Sequence, residues 1–169
     1  MNPDTSSRPL RLRPPRHQVS PRAVTWWTTQ AALEVATVLI PLGIVLGVWV
    51  DARPWLVPGT AAVAVIGLAY LLVMPRWRFR VHRWETTDHA VYTLRGWLNQ
   101  EWRVAPMSRI QTIDTERGPL QQLFGLATVI VTTASAAGAL RVAGLDRAVA
   151  DDLVTRLTET TQATPGDAT

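Results

Sequence analysis

The sequence predicts a membrane α-helical hairpin of two transmembrane helices, followed by a mainly-β domain. That domain is a bent sheet or open barrel closed by a C-terminal α-helix. Three observations predict this class. Two apolar stretches, Ala31–Val50 and Trp55–Met74, hold 20 residues each, which at about 1.5 Å per residue spans ~30 Å, the thickness of a bilayer's hydrocarbon core. From Arg76 onward the pattern changes to short period-two segments divided by turn residues. After Asp146 an apolar stripe returns at helical spacing, through Val149, Leu153, Val154 and Leu157.

Residues 1–25 read as a disordered Arg- and Pro-rich arm, because Pro3, Pro9, Pro14, Pro15 and Pro21 prevent a continuous helix. The hairpin occupies residues 26–75, its spans separated only by Asp51-Ala52-Arg53-Pro54. The first span starts too late and runs too long for a signal peptide. One acid, Glu34, lies about a turn inside it, within reach of headgroups or Arg22. Pro41 favours a kink in the first helix, and Pro58 falls in the tolerant first turn of the second. Gly59, Ala62, Ala64, Gly67 and Ala69 allow close helix packing.

Arginine placement sets the expected orientation. Arg8, Arg11, Arg13, Arg16 and Arg22 precede the first span, and Arg76, Arg78, Arg80 and Arg83 follow the second. The connecting loop has Arg53 offset by Asp51. Both termini are therefore expected in the cytoplasm of a cell whose inner membrane carries the protein. Trp26, Trp27, Trp49, Trp55 and Trp77 fall at the expected headgroup levels.

The domain is expected over residues 76–160, with a flexible tail over 161–169. Arg76–Val81 alternates strictly, which predicts a strand with Trp77, Phe79 and Val81 inward and Arg76, Arg78 and Arg80 outward. Further strands are expected at Ala90–Leu98, Glu101–Pro106, Ile110–Asp114, Leu126–Ala134 and Ala139–Ala143. Ile110 and Ile113 have opposite parity, which calls for a bulge or a turn there. Gly118-Pro119 makes a rigid corner, after which Leu120, Leu123 and Phe124 plug the barrel end and Gly125 turns the chain. Asp146 is placed to cap the last helix.

Composition narrows the function. The net charge is +4, every basic residue is Arg, and there is no Cys. Disulfide and thiolate chemistry are thereby excluded. His82 and His89 are seven apart with no metal-binding pattern, and no nucleophile elbow, P-loop or dinucleotide fingerprint occurs. No catalytic, cofactor or metal residues are expected, and nucleic acid is not an expected partner.

Two arginine groups are candidate contacts for lipid or another anion. Arg76, Arg78 and Arg80 leave the membrane directly and suit phosphate oxygens, or they only set topology. Arg103, Arg109 and Arg117 form a second group suited to a phosphate or carboxylate, or to pairing with Glu101, Asp114 or Glu116. Trp97 and Trp102 are expected to pair across the Asn99-Gln100 turn. The loop Gly118, Pro119, Leu120, Leu123 and Phe124 is a candidate partner-binding loop, although folding alone accounts for its residues.

Several motifs resemble the bacterial pleckstrin-homology (PH) domain of the YdbS-like membrane-protein family. Trp84-Glu85-Thr86-Thr87-Asp88, leading into Val91–Leu98, resembles its opening. Pro106-Met107-Ser108-Arg109-Ile110-Gln111-Thr112-Ile113 resembles its next segment. Glu116–Ala127 resembles its G/S-P-L loop, with Gln122 where a basic residue is common, and Thr132-Thr133-Ala134-Ser135 resembles its strand end. The resemblance covers roughly residues 25–160. It implies a PH-like fold, a membrane location and a non-catalytic binding or scaffolding role. It also implies partners among the lipid bilayer, anionic headgroups, a larger multi-PH-domain membrane protein or a homo-oligomer. Reading anionic lipid, or serving as the small subunit of a membrane complex in envelope stress or export, are the alternatives.

Overall fold

The computed structural model describes residues 14–134 and 138–163. Expectations for residues 1–13, for Ser135–Ala137 and for the tail after residue 163 lie outside these. The elements run β1 (His17–Gln18), α1 (Arg22–Val48), α2 (Arg53–Val81), β2 (Arg83–Thr86), β3 (Ala90–Arg95) and β4 (Glu101–Pro106). A 3-10 turn at Met107–Arg109 leads to β5 (Ile110–Glu116), α3 (Pro119–Leu123), β6 (Leu126–Thr133), β7 (Leu140–Asp146) and α4 (Arg147–Ala163).

The two helices hold 27 and 29 residues, or roughly 40 Å each. Both are long and apolar enough to cross a membrane. They pack antiparallel, with Gly67 set against Val35 so closely that a Cβ on Gly67 would sit 2.9 Å from Val35 Cγ1. Gly59 faces open space instead. Elsewhere their apolar side chains point outward, among them Ile40, Ile44, Ile66, Leu68 and Val73. A water-soluble surface rarely carries so continuous an apolar belt.

The strand expected at Arg76–Val81 is instead the last stretch of α2. Six residues of alternation fit a helix equally well when every fourth residue is sheltered. Met74, Pro75 and His82 are buried and Arg78 and Phe79 half-buried, whereas Arg76, Trp77 and Arg80 are exposed. Extending an existing helix also costs no new nucleation. The first strand of the domain is therefore β2, which starts directly after His82. The arm also proves partly structured: β1 pairs with Arg83 and Trp84 of β2.

Among the described residues the strands form two antiparallel sheets, β1-β2-β3-β4 and β5-β6-β7. They do not close into a barrel. The expected irregularity at Ile110 is present as a register shift between Ile110 and Thr112. The strand begun at Ala90 stops at Arg95, short of the expected Leu98. Gly96, at φ +110°, turns the chain so tightly that a Cβ there would lie 1.8 Å from the Asn99 carbonyl oxygen. Consequently Leu94, not Trp97, lies opposite Trp102.

The main core lies between the sheets and α4, around Val91, Met107, Val129, Val131, Val142, Leu145, Leu153 and Leu157. The buried stripe of α4 is Ala150, Leu153 and Leu157, with Val149 39% exposed. The expected stripe is thus one position out at its start. Leu123, expected in the barrel end, is 75% exposed, while Leu120 and Phe124 pack inward.

A second core joins the hairpin to the domain: Val19, Ala23, Trp26, Trp27 and Leu126, packed by Phe79, Leu120 and Phe124. Trp27 is fully buried there. Its ring carries the Arg78 guanidinium 4.6 Å above it and touches the His82 ring at 5.0 Å. The start of α1 is bonded to the end of β7 as well. Ser20 N–H donates to the Gly144 carbonyl at 2.8 Å, and its hydroxyl donates to Asp146 Oδ1 at 2.9 Å. Arg22 pairs with Asp146 at 3.6 Å. Asp146, which stands directly before α4 where a cap is expected, also holds the base of the membrane hairpin. Gly144 is the extra residue of a bulge, since Ala143 pairs with Thr128 and Leu145 with Ala127. Its φ of +80° is a left-handed conformation favouring glycine.

Candidate functional site

The second core leaves a cleft of about 370 Å³ where the base of the hairpin meets the domain. Trp26 and Gln30 of α1 and Arg78 of α2 form its membrane-side wall. The opposite wall is the loop Gly118, Pro119, Leu120 and Gln121, with Thr128, Arg141 and Ala143 from β6 and β7 behind it. Two groups singled out in the sequence thus meet here: one arginine of the post-membrane stripe, and the front of the Gly118–Phe124 loop.

The loop is held rigidly. Gln121 is buried; its Oε1 accepts the Gly118 N–H at 3.0 Å, and its Nε2 donates to Thr128 Oγ1 at 2.7 Å. A buried amide with both ends satisfied fixes a loop at little cost. Gln122 donates to the Arg117 carbonyl at 3.0 Å. Within the cleft Arg141 pairs with Glu116. Arg78 rests on the Trp27 face, and a cation held over an aromatic ring still presents its guanidinium edge.

The other candidate arginines separate. Arg76 is exposed and donates to the Leu72 carbonyl at 2.8 Å, and Arg80 is also exposed. Arg76 and Arg80, four apart, share one face of α2 with Arg78 on the opposite side, so the three arginines make no single stripe. Arg109 and Arg117 flank β5, roughly 26 Å apart at about 3.3 Å per residue. Arg103 is taken up by Glu101 and by the carbonyls of Gly138 and Ala139. The Arg95 and Arg103 guanidiniums hold the Glu101 carboxyl below its usual range. The expected cluster of Arg103, Arg109 and Arg117 does not assemble.

Sequence reasoning passed over Trp26, Gln30, Gln121 and Arg141 as site residues. Gln121 had a usable signal, since a polar residue three positions after Gly118-Pro119 is placed to bond back to that corner. The sequence presents His82 only as one of two histidines without a metal-binding pattern. Burial, then the nearby Arg78 and Arg95 charges, pushes its imidazole down to about 4. Its Nδ1 lies 2.9 Å from the Arg78 carbonyl.

The profile of the bacterial PH domain matches residues 30–161, taking in most of α1, all of α2 and strands β2 to β7. The chain belongs to the bacterial PH domain family. A relative in Bacillus subtilis (strain 168), named UPF0699 transmembrane protein YdbS, is 30% identical over 124 residues. The alignment covers 72% of this chain and 78% of that protein. No solved structure matches the chain. The bacterial PH domain here is membrane-associated, with two apolar helices built into its base.

Proposed function

We propose that this PH-like protein is a non-catalytic binding module fixed against the cytoplasmic face of the membrane. Its junction cleft takes the anionic headgroup of a phospholipid. The cleft carries this reading: it lies where helix meets domain, and Arg78 and Arg141 stand on its walls. A phosphate there gains charge-assisted hydrogen bonds from Arg78 that a neutral headgroup lacks, and from Arg141 once that guanidinium exchanges its pairing with Glu116, which also lines the cleft. Trp26 and Leu120 supply apolar walls for the glycerol and upper acyl segments. The arginine-rich flanks support the cytoplasmic assignment.

The full chain, purified in mild detergent, tests this by native mass spectrometry of retained lipid. Anionic phospholipid is expected to stay bound in preference to neutral phospholipid, and Arg141→Gln is expected to reduce that retention. Indifference to lipid charge would refute the reading. So would unchanged retention in an Arg141→Gln variant whose melting temperature matches the wild type. A larger membrane protein retained at fixed stoichiometry instead of lipid would favour a subunit role. For orientation, a reporter active only outside the cytoplasm and fused after Thr169 is expected to stay silent.

A further inference from the structure

The chain leaves α2 at Val81 and enters β2, and since the end of β3 meets the span at Tyr70, β2 runs away from the membrane. Strand β3 runs antiparallel to β2 and brings it back. The turn between β2 and β3, at Thr87–His89, is therefore the far end of the domain. The turn between β3 and β4, residues 96–100, is the membrane end.

That turn touches the apolar span. The Trp97 ring lies 6.0 Å from the ring of Tyr70, edge-on. Tyr70 belongs to the apolar span, four residues before Met74, or about 6 Å into it at 1.5 Å per residue. Its hydroxyl donates to Glu34 Oε2 of α1 at 3.1 Å, so this level of the hairpin already carries polar groups. Beside Trp97, Leu98 is 76% exposed at the tip. The left-handed Gly96 fixes the turn's shape. Just behind it, Arg95 bonds Glu101 at 2.7 Å and Trp102 is partly exposed. Leu98 and the Trp97 ring form one side of the tip, exposed Asn99 and Gln100 the other, with the Arg95–Glu101 pair behind; apolar, amide and ionic groups together suit the boundary between acyl chains and headgroups.

We propose that the β3–β4 turn inserts Trp97 and Leu98 into the headgroup–acyl boundary of the leaflet on the domain's side, giving the protein a third membrane contact beyond its two helices. The occupant of this exposed tip is the bilayer, because the tip is continuous through Tyr70 with the span itself. The proposal rests on the hairpin crossing the bilayer and is independent of what fills the junction cleft.

The chain has no cysteine, so single cysteines can be spin-labelled in the full chain reconstituted in lipid nanodiscs. Leu98→Cys tests the tip, Val73→Cys reports the span, and Asp88→Cys reports the far turn. Collision with oxygen, which concentrates in lipid, is compared with collision with a water-soluble nickel chelate. The Leu98 label is expected to favour oxygen as the Val73 label does, with the Asp88 label favouring nickel by several-fold. A Leu98 label as open to nickel as the Asp88 label, with Val73 still protected, would overturn the proposal alone. Nickel access at Val73 too would overturn the spanning hairpin and the proposal with it. As a second variant, Leu98→Asp is expected to leave the melting temperature in detergent unchanged while raising nickel access at a label on Asn99. Unchanged access there would also count against insertion.

Discussion

Replacing Gly144 by alanine is expected to loosen the domain from its helices. A Cβ at this position would lie 2.9 Å from the Cβ of Ala23, closer than such atoms approach in real structures. Ala23 is itself fully buried in the first turn of α1, so neither partner has a flexible end to swing aside. Overpacking of this kind costs about 1–3 kcal/mol. The left-handed backbone at φ +80° adds about 1 kcal/mol for any residue with a Cβ. The sum, roughly 2–4 kcal/mol, is a large share of the ~5–15 kcal/mol that holds a domain folded. For a domain this small it lowers Tm by on the order of 10 °C or more. Thermal unfolding of the detergent-solubilised chain, followed by tryptophan fluorescence, reads the loss. The double-mutant cycle with Ala23→Gly isolates the contact. Ala23→Gly alone is expected to destabilise slightly, yet in the Gly144→Ala background it should recover at least ~1 kcal/mol, leaving the backbone cost behind. No recovery would mean that α1 does not dock on β7 in solution, and the rigid joint described above would be refuted.

Acid sensitivity follows from His82. Its imidazole titrates near 6.5 when unfolded and about 4 when folded, so between those values the unfolded chain binds the extra proton. The stability due to this group is therefore intact above pH 6.5 and is lost as pH falls towards 4, by roughly 3 kcal/mol at ~1.4 kcal/mol per unit. His82→Gln should flatten the stability profile across that window in denaturant titrations. Gln121→Ala leaves the Gly118 N–H and the buried Thr128 hydroxyl without their bonds, and should cost about 2–3 kcal/mol. Limited proteolysis should then cut first within residues 117–124. Leu157→Ala should cost about 2–5 kcal/mol, whereas Val149→Ala should stay within ~0.5 kcal/mol. Equal losses in chemical denaturation would mean that α4 packs through the other stripe.

The hairpin was legible because length and apolarity alone define a span. Its lower boundary was not, because Arg76–Val81 satisfies period two and period 3.6 alike over six residues. Only the shelter Trp27 gives to Arg78 and His82 decides between them, and Trp27 is 51 positions from Arg78 in the chain. The irregularity at Ile110 was readable, since two isoleucines of opposite parity cannot both face inward from a regular strand. β1 was not readable, being two residues in a proline-rich arm whose only signal is pairing with Arg83 and Trp84. The cleft escaped for a related reason. Gln30, Arg78, Gln121 and Arg141 carry no common motif and become neighbours only when the hairpin docks. The expected grouping of Arg109 with Arg117 failed because β5 separates them along its whole length.

The bonds from Ser20 to Gly144 and Asp146, together with the direct passage from α2 through His82 into β2, leave the protein without a swivel. Domains on flexible linkers sample many orientations above their membrane, and their binding faces average over all of them. Here the angle between sheet and helix is set by covalent and packed structure, so any tilt of the helix pair becomes an equal tilt of the domain. The apolar spans, at ~30 Å, match an ordinary hydrocarbon core, and a thinner bilayer leaves them too long and tilts the pair. Membrane thickness is thereby converted, through a lever with no slack, into the direction the cleft faces.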